Sequence, residues 1–488
     1  MRPPLLSLVA ALLSLPLVWA DSFDDKANEL LASTKVRGFA VAIRVPEQTN
    51  PVIRAYGKVS AAANAADVTT DTAFMMASVS KPFAGAAIAK MIDQRLITLD
   101  TDIRTVLPAG YAATNYQNPL HTSKAVTFRH ILTHRSGLRA VVPGVDDTNG
   151  EEVYPDYGPA NGYLGIAVGN PTCSLTDVKG FYRDYMEEGA PDTTVGRADL
   201  SVFPGGTFDW YTNADGANAW SKNAPGASNV YSNFAMGYIA ALVEHKTGMS
   251  FSQYCDTNLF GPLGMTNTKW LREELPNTTQ QAVPVRSNGD GTYFDIGHYC
   301  FIDYTSGQLY TTANDAAKWG DEMLSKGTAT LWSSATAAQV FGCQEKDETN
   351  MQLSEADCGY SLAWEYLGAA KKDSVIADYP WMAVFENYDW TDSVEHGGSE
   401  QGVTTHFIIF PIAGAYGVVM INSSGPERDT AAAEAALTIL EELFPEAQKT
   451  KTPAPSPPCF PASLYTSVIQ QASLLVDSAA LAFSRFWS

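Results

Sequence analysis

The chain has 488 residues, 45% of them hydrophobic and 17% charged, with a formal net charge of −21. That length and apolar content exclude a disordered chain or one minimal core, and predict a large domain with appendages. So acidic a surface repels phosphate backbones and anionic lipid, which argues against nucleic acid as a partner.

Arg2, the apolar run from Leu5 to Val18 and the ending Val18-Trp19-Ala20 before Asp21-Ser22 have the layout of a secretory signal peptide over residues 1–20. The run is short for a membrane anchor, so a secreted protein is expected. The cysteines, Cys173, Cys255, Cys300, Cys343, Cys358 and Cys459, are then expected to form disulfides, with Cys343 and Cys358 the easiest local pair. No Cys-x-x-Cys occurs to support a zinc knuckle or a thioredoxin-type site. Asn277-Thr278-Thr279 and Asn422-Ser423-Ser424 are sequons for glycosylation.

Residues 24–32 read as a short helix, and 39–45 and 52–57 as strands joined by a turn at Asn50-Pro51. The strongest helical pattern covers 78–95, with Pro82 in the first turn and Ala84, Ala87, Ile88, Met91 and Ile92 on one face. Another helix is predicted over 127–134, ended by Gly137. Residues 139–203 have weak periodicity and read as an insertion, with 175–188 its candidate helix. Helices return at 231–247 and 251–259, strands at 404–411 and 416–422, and a helix at 429–443. Early strands, a helical middle, late strands and a closing helix predict an α/β (α+β) domain over 21–445, its one sheet assembled from both chain ends. Residues 446–462 form a Pro-rich linker, and 463–488 an amphipathic helix that we read as docking on the domain in preference to a membrane or partner contact.

Chemistry points first to Ser78-Val79-Ser80-Lys81. Ser78 and Lys81 lie three apart at a predicted helix start and share a face. A serine hydroxyl is a poor nucleophile until a base takes its proton. A desolvated lysine can be that base, and the helix N-terminus favours the developing alkoxide.

Four further stretches stand in a telling order. They are residues 126–138, Val-Thr-Phe-Arg-His-Ile-Leu-Thr-His-Arg-Ser-Gly-Leu; Tyr231-Ser232-Asn233 with Gly237-Tyr238 and Leu259 to Met265; Ser306 to Asp315; and His396-Gly397-Gly398-Ser399 just before a predicted strand. Together they resemble the serine β-lactamase and penicillin-binding-protein superfamily, in its class C-like esterase and peptidase branch. The resemblance implies a β-lactamase/transpeptidase-like fold, with a central antiparallel sheet flanked by helices and a mostly helical part. It also implies a covalent acyl-enzyme on Ser78, with no metal or cofactor.

By the same resemblance Tyr231 is the base or proton relay beside Lys81, whose ammonium would lower the phenol pKa, and the order of proton transfer is open. Asn233 would bind substrate or hold Lys81. The backbone N–H groups of Ser78 and Ser399 would form the oxyanion hole, with Gly397 and Gly398 allowing close approach. Class C β-lactamases carry Lys where this chain has His396, so carboxylate recognition should be weaker or pH-dependent. The expected substrates are small esters, lactones or peptide-like amides. Acyl transfer to an acceptor other than water, or an inert binding protein on the same fold, are the alternatives.

Tyr211-Thr212-Asn213 is a second Tyr-x-Asn, but it lacks the continuation that follows Tyr231. His130 and His134 are four apart without the glutamate of a zinc motif, so both are read as hydrogen-bonding to backbone. His406, in an apolar strand, is read as a satisfied interior or edge residue. No Gly-x-Ser-x-Gly elbow is present.

Overall fold

A computed structural model describes residues 36–138 and 223–424, apart from 47–49, 112, 119, 289–291, 301–302, 348 and 350, together with isolated positions 28, 31, 178, 179, 182, 220, 437 and 440. The strands are β1 (Gly38–Arg44), β2 (Val52–Gly57), β3 (Phe74–Met75), β4 (Val285–Ser287), β5 (Tyr293–Asp295), β6 (Tyr310–Thr311), β7 (Glu365–Tyr366), β8 (Val394–Glu400), β9 (Val403–Phe410), β10 (Ala415–Ile421) and β11 (Ser423–Ser424). The main sheet runs β2-β1-β10-β9-β8-β7, and each of its pairs is antiparallel. It joins both ends of the chain, as the hydrophobic pattern predicts.

Its central strands read as nearly continuous apolar runs because both faces are covered. Side chains of a strand point alternately to opposite faces, so the runs divide between two cores. Ala40, Ala42, Phe407, Ile409, Val418 and Met420 join the larger core, and Phe39, Val41, Ile408, Phe410, Val419 and Ile421 the other. The larger core also takes α1 (Ser80–Asp93), α2 (Phe128–Leu132), α3 (Asn233–Thr247), α4 (Phe251–Cys255), α5 (Ala313–Leu324) and α6 (Ser334–Phe341). A further helix, α7 (Gly368–Asp378), contributes Val375 to the second core.

Three local expectations are corrected and a fourth is refined. The helix predicted from Ser78 opens with a 3-10 turn over Ala77–Val79 and becomes α-helical at Ser80. Helix α2 stops at Leu132, and His134 follows at φ 53°, well before Gly137. Tyr231 precedes its helix, because the Ser232 side chain caps α3 by accepting from the Ala235 N–H. The tetrad His396 to Ser399 does precede the predicted strand, here β9, but is itself part of another strand, β8.

Cys343 and Cys358 form a disulfide with a Cα separation of 5.9 Å, and Cys300 is also disulfide-bonded. Closing a loop of 15 residues is worth about 3 kcal/mol in the chain-entropy view. Cys255 is a buried free thiol, so the expectation of disulfides does not extend to it. Asn422 is wrong for a glycan: it is buried, and its amide donates to the Lys58 and Val283 carbonyls. Asn277 is exposed.

Among the described residues no helix is long and apolar enough to cross a membrane. The signal peptide, Tyr211, the linker and the 463–488 helix lie outside the described residues. So does most of the 139–203 insertion, although Val178, Lys179 and Tyr182 are helical.

Candidate active site

Ser78 is presented by a sharp turn between a short strand and a long helix. Strand β3 pairs with β6, and the Met76 N–H donates to the Leu309 carbonyl at 2.8 Å. Ala77 then takes φ 46°, a left-handed conformation that costs about 1–2 kcal/mol outside glycine. Its neighbours hold it there. The Met76 carbonyl accepts from Thr405 Oγ1 at 2.7 Å, and Ser80 Oγ accepts from the Leu309 N–H at 3.0 Å. The turn leaves Ser78 at the positive end of a long helical run.

Lys81 is wholly buried on the same helix face. Its Nζ lies 2.9 Å from Ser78 Oγ and donates to the Ser306 carbonyl at 2.7 Å. Burial drives its pKa down to about 7, although Glu400, Asp303 and Glu365 pull the other way. Near neutral pH much of the amine is therefore uncharged. One N–H can serve Ser306 while the nitrogen lone pair faces the Ser78 hydroxyl.

Tyr231 completes the group. Its phenol shares a hydrogen bond with Ser78, and its ring centroid lies 4.8 Å from Lys81 Nζ. The expectation that an ammonium would make this phenol more acidic is overturned. Burial pushes the phenol pKa far up, and the neighbouring lysine loses its charge near neutral pH. Tyr231 thus stays protonated, with a proton to give.

Asn233 starts α3, and its Oδ1 is buried without a hydrogen-bond partner. The lysine's hydrogen bonds run to Ser78 and Ser306, so holding Lys81 is a task of Ser306, not Asn233.

Strand β8 forms the opposite wall. A Cβ on Gly398 would stand 2.3 Å from Thr405 Oγ1, 2.8 Å from the Met76 carbonyl oxygen and 3.1 Å from Ala77 Cβ. Only glycine lets this strand approach the Ser78 turn so closely. Gly397 has no such role, since a Cβ there would meet only His406 Nδ1 at 3.6 Å. Ser399 follows on the strand, opposite Thr404 of β9.

His396 is 1% exposed, with its Nδ1 at 2.6 Å from the Gly397 carbonyl oxygen. That oxygen can only accept, so Nδ1 carries the proton and Nε2, which has no partner, is bare. Burial lowers the His396 pKa to about 3, and the Lys81 charge acts in the same direction. It is a neutral residue where a lysine would be a cation. Burial also raises the nearby Glu365 and Glu400 carboxyls to about 7 and about 8.

The other histidines bond as expected. His130 Nδ1 accepts from the Thr127 N–H, and His134 Nδ1 from the Ser232 N–H. His406 Nε2 meets Glu395 Oε2 at 2.9 Å. Among the described residues no three His, Cys, Asp or Glu side chains gather as a metal site. Sequence reading missed His134, whose ring stacks on Tyr231 at 4.4 Å, and Thr405, Ser306 and the two carboxylates. His134 and Ser306 lie in stretches already singled out, but their place in the site, like that of the others, depends on contacts across long stretches of chain.

Comparisons with known proteins agree with this fold. The Beta-lactamase family model matches residues 23–441. The D-alanyl-D-alanine-carboxypeptidase/endopeptidase AmpH of Escherichia coli K12 is 21% identical over 71% of this chain and 74% of its own. An uncharacterised protein of Alkalihalophilus pseudofirmus is 36% identical over 86 residues, a match that spans 18% of this chain and 23% of that protein. Among solved structures, EstCE1, described as a hydrolase with promiscuous acyltransferase activity, superposes with a TM-score of 0.58. It is 16% identical, covering 87% of this chain and 98% of its own, a likeness of fold. With most of its length matched by the family model and its sheet, helices and serine turn arranged as described, the chain belongs to the beta-lactamase family.

Proposed function

We propose that this protein is a secreted serine hydrolase that forms an acyl-enzyme on Ser78 and releases the acyl group to water. The observation that carries the reading is the 2.9 Å approach of Lys81 Nζ to Ser78 Oγ, with burial holding the amine pKa near 7. Such an amine is poised as a base at neutral pH.

Lys81 takes the Ser78 proton as Oγ attacks the substrate carbonyl. The carbonyl oxygen becomes an anion, received by the backbone N–H groups of Ser78 and Ser399 across the narrow gap beside Gly398. When the intermediate collapses, the Tyr231 phenol gives its proton to the departing alkoxide or amine, and the Lys81 ammonium reprotonates Tyr231. Water then attacks the ester by the same steps in reverse. Asn233 Oδ1, a buried acceptor, receives a donor group of the substrate.

The substrates are small esters, lactones or peptide-like amides that lack a carboxylate beside the reacting bond. A neutral His396 offers no charge to hold one. Acyl transfer uses the same first half-reaction, and the likeness of fold to EstCE1 supports it as the second reading.

Mass spectrometry after a fluorophosphonate probe tests the nucleophile. The parent protein should gain one adduct and Ser78→Ala none. Labelling that persists in Ser78→Ala sinks the assignment. Turnover of nitrocefin above that of a short-chain p-nitrophenyl ester would overturn the substrate reading.

A further inference from the structure

The backbone that carries Tyr231 is neither helix nor strand from 223 to 232, so its position depends on bonds made to other parts of the chain. Residues 133–135 supply them. The Gly226 N–H donates to the Arg135 carbonyl at 2.8 Å, and the Val230 N–H to the His134 carbonyl at 2.7 Å. The Ser232 N–H donates to His134 Nδ1 at 3.0 Å.

His134 is at the centre of this attachment. It is 1% exposed, and its ring lies against Tyr231 at 4.4 Å and 29°, close to parallel. Tyr360 closes on it edge-on at 4.9 Å and 71°. The imidazole must be neutral to accept from Ser232, and burial holds its pKa well below the ordinary range. A phenol pressed against a ring that is itself clamped has little room to turn away from Ser78.

The clamp is anchored from a third region. Glu345, 2% exposed, belongs to the loop closed by the Cys343–Cys358 disulfide. Its Oε2 accepts from Arg135 Nη1 and its Oε1 from Asn229 Nδ2, both at 2.9 Å. Asn229 Nδ2 also donates to the Thr133 carbonyl at 3.1 Å, and Arg135 Nε to the Gly226 carbonyl at 3.2 Å. One carboxylate thereby ties the residues on either side of His134 to the segment that carries Tyr231.

We infer that His134 is a positioning residue that fixes the Tyr231 phenol against Ser78, and that the disulfide-closed loop holds His134 in place through Glu345. The inference rests on the reading of Tyr231 as the proton relay. It assigns His134 no proton transfer. Its effect comes through geometry, where a displacement of about 1 Å costs on the order of 100-fold in rate.

The test uses His134→Asn, Tyr231→Phe and their double variant in the full-length protein. Asparagine tolerates the left-handed backbone of His134 and retains an acceptor, but it removes the stacked ring. His134→Asn should lower kcat for a p-nitrophenyl ester about 10- to 100-fold, with KM changed less than about twofold, because ground-state binding is untouched. Fluorophosphonate labelling of Ser78 should stay near the parental rate, because Lys81 takes the Ser78 proton and fluoride departs without needing one. The double variant should turn over the ester no more slowly than Tyr231→Phe, since a residue acting through Tyr231 has nothing left to position.

Parental kcat in His134→Asn overturns the inference, as does a double variant whose loss is the product of the single losses. Parental kcat in Tyr231→Phe instead fells the relay reading and the inference with it. If circular dichroism finds His134→Asn unfolded, Glu345→Gln replaces it. That variant should show the same loss in kcat with labelling retained, and an unchanged kcat overturns the inference.

Discussion

The two regions that meet at Ser78 are held by opposite kinds of force. The turn bearing Ser78 and Lys81 is wrapped in apolar side chains, with Phe74, Met76, Val79 and Phe83 all in the larger core. The segment bearing Tyr231 is fastened by polar contacts: Arg135 with Glu345, Asn229 with Glu345, and His134 with Ser232. Apolar walls lower the Lys81 pKa by denying it water, and the same dryness keeps Tyr231 protonated. The difference teaches that one environment yields both an acceptor and a donor of protons, because desolvation favours the neutral form of each.

The contrast can be broken most sharply at Arg135. Its ion pair with Glu345 is buried on both sides, so Arg135→Met leaves a carboxylate without its charge partner. We expect a loss of about 3–5 kcal/mol in denaturant unfolding. A loss under about 1 kcal/mol would mean that the polar fastening is dispensable.

Next in size is the pH profile. Lys81 accepts a proton only when neutral and its pKa is about 7, so kcat/KM should fall tenfold for each unit of pH below that value and level off above it. His396, held neutral down to about 3, adds no limb of its own in this range. Glu365 raises the Lys81 pKa, so Glu365→Gln should move the acid limb to lower pH without abolishing it. A rate that is flat from pH 5 to pH 9 would remove Lys81 as the base.

The smallest effect sharpens the same comparison from the other side. Lys81 has its charge suppressed by burial, so Lys81→Met should abolish labelling of Ser78 yet stabilise the protein by roughly 0.5–2 kcal/mol. If Lys81→Met destabilises as strongly as Arg135→Met, the two regions are not held differently.

Much of this was legible before the structure. Apolar runs of strand length at both chain ends announce the sheet, and Ser78 and Lys81 share a helix face by spacing alone. That His396 to Ser399 is itself strand is not legible locally, because its two glycines lower the strand propensity, while pairing with β9 across the turn at Gly402 overrides it. Tyr231 was assigned to a helix because apolar periodicity continues through it, though the cap at Ser232 decides the boundary. Asn422 looked like any other sequon, and nothing local reveals that its amide is enclosed by Lys58 and Val283.

By itself the sequence determined the two-ended sheet and the Ser78–Lys81 pair, which depend on hydrophobic period and on spacing along the chain, while the family was legible as a resemblance carried by motifs in order. Only the tertiary structure decided which groups are charged, that Gly398 and not Gly397 admits the close approach, and that His134 backs Tyr231. Those properties depend on desolvation and on atoms brought together from distant parts of the chain, which no local pattern encodes.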